Sequence, residues 1–105
     1  MKAINKLIGK RVIIRCAHAG VFFGTLNEFD VQENVSLAEL IDVRRLWFWA
    51  GATTLSQMAR DGVKCPDECK FSIFEHSIIV SEITEIHACT EECIKSLEGV
   101  AIWQS

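Results

Sequence analysis

The chain has 105 residues, half of them hydrophobic and 24% charged, with a formal net charge of −3. That length predicts one domain over residues 1–105, and a domain of this size buries well over half of its unfolded surface without a disulfide or metal staple. The negative balance argues against long duplex nucleic acid as a partner, because such binding rests on many Lys and Arg contacts to phosphate.

Residues 3–8 suit a short amphipathic turn, with Ile4, Leu7 and Ile8 at helical spacing. Lys10 to Cys16 is rich in β-branched residues and reads as a strand. Ala17-His18-Ala19-Gly20 is a tight connection. A second strand runs from Val21 to Phe29, and its Gly24 marks a strong bend or a close backbone approach. Asp30 to Asn34 is a polar turn. A third, long strand runs from Val35 to about Trp49, with Val35, Leu37, Ile41 and Val43 alternating onto one face and Glu39 as the exception. Gly51 breaks it. Thr53 or Thr54 can cap a short helix that buries Leu55, Met58 and Ala59, with Gly62 at its C-terminal end. Val63 to Lys70 is a loop. Phe71–Phe74, Ile78–Val80 and Ile83–Ala88 read as further strands. Thr90 can cap a last helix, with Glu91 and Glu92 in its first turn, Ile94 and Leu97 buried and Gly99 at its end. Val100 to Trp103 is a terminal extended segment. The fold class is therefore mainly β, of the α+β kind, with two short helices.

The start of the chain lacks the long apolar run of a secretory signal, and no stretch approaches the ~18 apolar residues of a membrane span. Five cysteines, an odd number, then predict reduced thiols in a cytoplasm.

Two resemblances add to this reading. Gly20-Val21-Phe22-Phe23-Gly24-Thr25-Leu26-Asn27-Glu28-Phe29-Asp30, followed by Glu33-Asn34-Val35-Ser36-Leu37, is similar to the first motif of the Sm-like proteins. It implies a small Sm-like or SH3-like antiparallel barrel that forms homo-oligomers by pairing edge strands. The Arg-Gly of the second Sm motif is missing, since Ile79-Val80-Ser81-Glu82-Ile83 stands there. The second resemblance spans nearly the whole chain. Arg44-Arg45-Leu46-Trp47-Phe48-Trp49-Ala50-Gly51-Ala52, then Leu55-Ser56-Gln57-Met58-Ala59, Gly62-Val63-Lys64, Pro66 and Cys69-Lys70-Phe71 look like a family of small phage and prophage proteins. Glu85-Ile86 and Thr90-Glu91-Glu92 fit it too. It implies a phage origin and a bacterial host cytoplasm, and it brings no activity. Residues 27–42 are longer than that family suggests, which points to an extended hairpin.

The candidate ligand-binding residues are Arg44, Arg45, Trp47 and Trp49. In an extended strand Arg45, Trp47 and Trp49 share one face, and Arg44, Leu46 and Phe48 share the other. Arg beside Trp offers a stacking plane and a bidentate phosphate donor, which suits a nucleotide. The same residue types are also the commonest interface anchors. The other chemistry-bearing pattern is two Cys-x-x-x-Cys pairs, Cys65/Cys69 and Cys89/Cys93, which could supply four thiolates to zinc or be small buried hydrophobes. Cys16 stands alone and suits the core. His18, His76 and His87 follow no ligand or catalytic spacing, and Asp67/Glu68 and Glu91/Glu92 read as helix-start charges. No Gly-x-Ser-x-Gly elbow, phosphate loop or His-Glu-x-x-His is present. The leading expectation is a non-enzymatic phage accessory protein, with no cofactor, that sequesters a nucleotide-like signal in counter-defence. The alternatives are a protein-interaction module that inhibits a host protein, and a zinc-stabilised structural module.

Overall fold

A computed structural model describes residues 3–104. A 3-10 turn at Ala3–Leu7 leads into β1 (Arg11–Cys16), β2 (Gly20–Gln32) and β3 (Val35–Phe48). Helix α1 (Leu55–Asp61) follows, then a 3-10 turn at Pro66–Glu68 and the short β4 (Lys70–Phe71). The chain ends with β5 (Glu75–Ser81), β6 (Ile83–Ala88) and helix α2 (Glu91–Gly99). Among the described residues no helix is long and apolar enough to cross a membrane.

The strands form one antiparallel six-stranded sheet in the order β4-β3-β2-β1-β6, with β5 also paired to β3. β5 and β6 are a single run of chain bent at Glu82, whose φ is 56°. The Glu82 N–H donates to the Ser36 carbonyl at 3.0 Å and its carbonyl accepts from the Ala17 N–H at 2.8 Å. One residue thus ties the start of β3 to the end of β1. The barrel expected from the Sm-like motif is realised as a sheet with open hydrogen bonding whose β5 and β6 meet at this corner.

Val12, Ile13 and Ile14 of β1 are all fully buried. A strand in the middle of a one-sided sheet would alternate, so three in a row means that both faces are covered. Val12, Ile14 and Cys16 face one side with Phe22, Leu26, Leu40, Val43 and Val80. Ile13 faces the other way, with Phe23, Leu46 and Phe71 against Leu55 and Met58 of α1 and Cys93 and Leu97 of α2. Each such side chain contributes roughly 1.5–3 kcal/mol by leaving water.

Two local devices set the strand geometry. The β2–β3 hairpin turns on Glu33 (φ 53°) and Asn34 (φ 68°), the paired left-handed residues of a type I′ turn. The polar turn expected over Asp30–Asn34 therefore shrinks to two residues, with β2 lengthened from Phe29 to Gln32 and β3 starting at Val35 as expected. The pairing of β2 with β3 then shifts between Phe23 and Thr25, opposite Asp42, which has φ 48°. Such a bulge reverses the alternation. Ala38 and Leu40 are buried before it and Val43 after it, while Leu37, Glu39 and Ile41 face outward. This divides the set of Val35, Leu37, Ile41 and Val43 expected on one face: Val43 is buried and the other three are not. At the bulge a Cβ on Gly24 would lie 2.9 Å from Val43 Cβ and 3.2 Å from the Ile41 carbonyl, so the close approach read from Gly24 is present.

Both helices begin as their caps predict. Thr54 Oγ1 accepts from the Gln57 N–H at 3.0 Å, and Thr90 Oγ1 accepts from the Cys93 N–H at 3.1 Å. In α2 the buried positions are Cys93 and Leu97, with Ile94 only partly covered.

Candidate functional site

Arg44 is 1% exposed. Its Nη1 donates to the carbonyls of Leu97 at 3.0 Å and Val100 at 2.8 Å, and its Nε donates to the Ser72 carbonyl at 2.9 Å. The guanidinium also lies over the rings of Phe74 (4.6 Å) and Phe71 (5.3 Å). The last carbonyls of a helix lack partners and carry the negative end of its dipole. Arg44 therefore closes the C-terminal end of α2 from the neighbouring sheet. Burial lowers its pKa from the ordinary arginine value. The sequence placed Arg44 among the ligand-binding residues. Its donors are turned to backbone carbonyls within the fold, so it is a structural residue here.

Arg45 lies on the opposite face of β3. Its guanidinium sits 4.5 Å from the centroid of the Phe22 ring, and Nη1 donates to the Ala19 carbonyl at 2.6 Å. Ser72 fixes its backbone, accepting from the Arg45 N–H through Oγ at 2.7 Å and donating to the Arg45 carbonyl at 2.9 Å. Arg45 is half-buried and partly engaged.

Beyond Arg45 the alternation breaks, because the pairing of β3 with β4 shifts between Leu46 and Phe48. Trp47 is 54% exposed and Phe48 is 50% exposed, while Trp49 packs against the core beneath the helices. The expected set of Arg45, Trp47 and Trp49 is thus divided. What comes together instead is Trp47 with Trp103, their rings edge-to-face at 5.8 Å. The terminal segment reaches this position by a parallel bridge between Ile102 and Phe71, and the Trp103 N–H donates to the Phe71 carbonyl at 2.9 Å. Lys70 Nζ lies 5.1 Å from the Trp103 ring. Trp47, Phe48 and Trp49 line a depression of about 290 Å³. The result is an aromatic face with one cation at its side. Phe48, Lys70 and Trp103 were not singled out from sequence. The apolar run Val100-Ala101-Ile102-Trp103 after the helix-ending Gly99 was the available signal, since such a run must dock somewhere.

Among the described residues no group of three or more His, Cys, Asp and Glu side chains converges on one point. Cys69 is buried, with its thiol 3.5 Å from the Cys65 carbonyl and accepting from the Ala50 N–H at 3.4 Å. Cys89 and Cys93 flank the Thr90 cap, and Cys93 is fully buried. The neighbouring Cys93 thiol, then burial, push the Cys89 thiol well above the usual range. Burial likewise raises Cys16 and Cys69. The histidines stay apart: His87 meets Glu85 at 2.6 Å, and His18 meets Glu82 at 3.5 Å. Among the described residues neither histidine hydrogen-bonds to a cysteine.

A family model for a domain of unknown function (DUF6948) matches residues 9–97. No curated protein and no solved structure matches the chain.

Proposed function

For a chain that belongs to the DUF6948 family, we propose a non-enzymatic binding role, in which the aromatic face of Trp47, Phe48 and Trp103 docks a partner protein. The observation that carries this reading is the half-exposure of Trp47 and Phe48 at the end of β3, directly after the buried Val43, Arg44 and Leu46. Such half-exposed rings leave unrealised part of the roughly 1.5–3 kcal/mol that full burial of a large apolar side chain supplies, which a partner recovers. Tryptophan is also the commonest interface anchor. The resemblance to small phage and prophage proteins supports reading it as an accessory protein with a host polypeptide of the bacterial cytoplasm as its partner.

Lys70 beside Trp103 favours a second reading, a nucleotide-like signal whose base stacks on the tryptophans and whose phosphate meets the ammonium. It is the weaker one. The guanidinium of Arg44 is buried with Nε and Nη1 on backbone carbonyls and that of Arg45 is partly engaged, which leaves little to neutralise a phosphate.

Affinity capture from host lysate separates the two, using wild-type protein and a Trp47→Ala/Phe48→Ala variant matched for circular dichroism. The docking reading expects one host polypeptide that the variant fails to retain. A polypeptide retained equally by both would contradict it. Purified protein with raised absorbance at 260 nm that releases a small molecule on heating would favour the nucleotide reading.

A further inference from the structure

An open cavity of about 480 Å³ is lined by Arg11, Thr25, Asp42, Phe74 and Glu98. Its size is that of a small-molecule site. Arg11 forms its floor. The side chain is 14% exposed, and its guanidinium lies 4.4 Å from the centroid of the Phe23 ring. Nη1 donates to the Asp42 carbonyl at 2.8 Å and to Thr25 Oγ1 at 3.2 Å. Nη2 meets Glu98 Oε2 at 3.0 Å. Nε is buried with no hydrogen-bond partner. A carboxylate set squarely on the Nε/Nη2 edge would engage both nitrogens in the fork geometry that guanidinium and carboxylate share. Glu98, reaching over from the last turn of α2, engages one. Its side chain is 47% exposed, and ion pairs of that kind exchange readily.

The rim carries the opposite charge. Asp42 sits on the bulge with φ 48°, exposed, and forms no salt bridge among the described residues. Phe74, 40% exposed, supplies an apolar wall. One deep cation, two carboxylates nearer the surface and one ring define a complementary ligand. An anion alone would face Asp42 and Glu98. A cation alone would leave Nε without a partner. A molecule bearing both charges matches all of them.

We infer that this cavity binds a small zwitterion of the α-amino-acid type. Its carboxylate takes the Nε/Nη2 edge of Arg11 in place of Glu98, its ammonium lies between Asp42 and Glu98, and its side chain rests on Phe74. The inference is independent of the aromatic face and of the partner proposed for it.

The test is an NMR titration that follows the Arg11 Nε–H and the Asp42 amide. The probes are phenylalanine, leucine and glycine at millimolar concentration, with phenethylamine, 3-phenylpropionate and inorganic phosphate as single-charge controls. Saturable shifts are expected with an amino acid, at an affinity about tenfold or more above each control. Asp42→Asn is expected to weaken binding by a similar factor, and asparagine tolerates the left-handed backbone, so the fold is retained. Arg11→Lys is expected to abolish binding, with a thermal melt as its control. Absence of saturable shifts with every amino acid would overturn the inference. So would phosphate, phenylpropionate or phenethylamine binding as tightly as phenylalanine, or an Asp42→Asn variant that binds phenylalanine unchanged.

Discussion

At Arg44 a cation is buried with three backbone carbonyls and two aromatic rings around it. The arrangement is stable because the carbonyls at the end of α2 need donors and because their dipoles favour positive charge. Arg44→Met keeps the volume and removes all three donors. It is expected to lower stability by about 2–4 kcal/mol, seen as a lower urea midpoint with an unchanged slope. An unchanged midpoint would contradict the assigned role. Glu39 offers a second residue-level check. Asn27 Nδ2 and Ser77 Oγ donate to its two oxygens, at 2.8 and 2.9 Å, and hold its carboxyl below the usual carboxylate range. A carboxyl whose folded pKa is depressed contributes stability above its unfolded pKa, and that contribution is lost as pH falls through the folded value. The loss therefore belongs to the acid side of about pH 4.5, the reference value for this carboxyl. Side-chain NMR titration is expected to show Glu39 protonating at a higher pH in an Asn27→Ala/Ser77→Ala variant than in wild type.

Among the elements, Thr90 joins two helices. Its Oγ1 accepts from the Cys93 N–H at the start of α2 and donates to the Arg60 carbonyl at 2.6 Å at the end of α1. Its own N–H donates to the Ala59 carbonyl at 3.0 Å. Thr90→Ala is expected to cost about 1–2 kcal/mol, at the upper end for a cap, because two helix ends lose a partner. Thermal or urea unfolding measures it, and a loss no larger than that of an exposed control such as Thr84→Ala would contradict the double role. The caps themselves were legible in the sequence, since Thr54, Gly62, Thr90 and Glu91-Glu92 act locally. So were the core positions of α1, and Gly24 as a close approach. The parity of β3 was not. It depends on the bulge at Asp42 and the register shift before Phe48, and both are set by neighbouring strands. A one-residue shift moves every later side chain to the other face, so the division of Arg44, Arg45, Trp47 and Trp49 could not be read from alternation alone.

For the whole molecule, two surfaces carry the proposed contacts once the core is built. One is the aromatic face at the end of β3, completed by Trp103 from the far end of the chain. The other is the Arg11 cavity, assembled from β1, β2, β3, the segment before β5 and the last turn of α2. Neither is contiguous in sequence, which is why composition and motif pointed to Arg-Arg-Leu-Trp-Phe-Trp and passed over Arg11 and Trp103. The two arginines of that run serve mainly the fold, and its exposed aromatic rings are what remain for contact. The most direct test is hydroxyl-radical footprinting of the protein with and without the captured host polypeptide. The account predicts that Trp47, Phe48 and Trp103 lose reactivity together on binding while Ile79, 70% exposed on the distant hairpin sheet, stays reactive. Protection of Ile79 with unchanged reactivity at the three aromatic residues would contradict it.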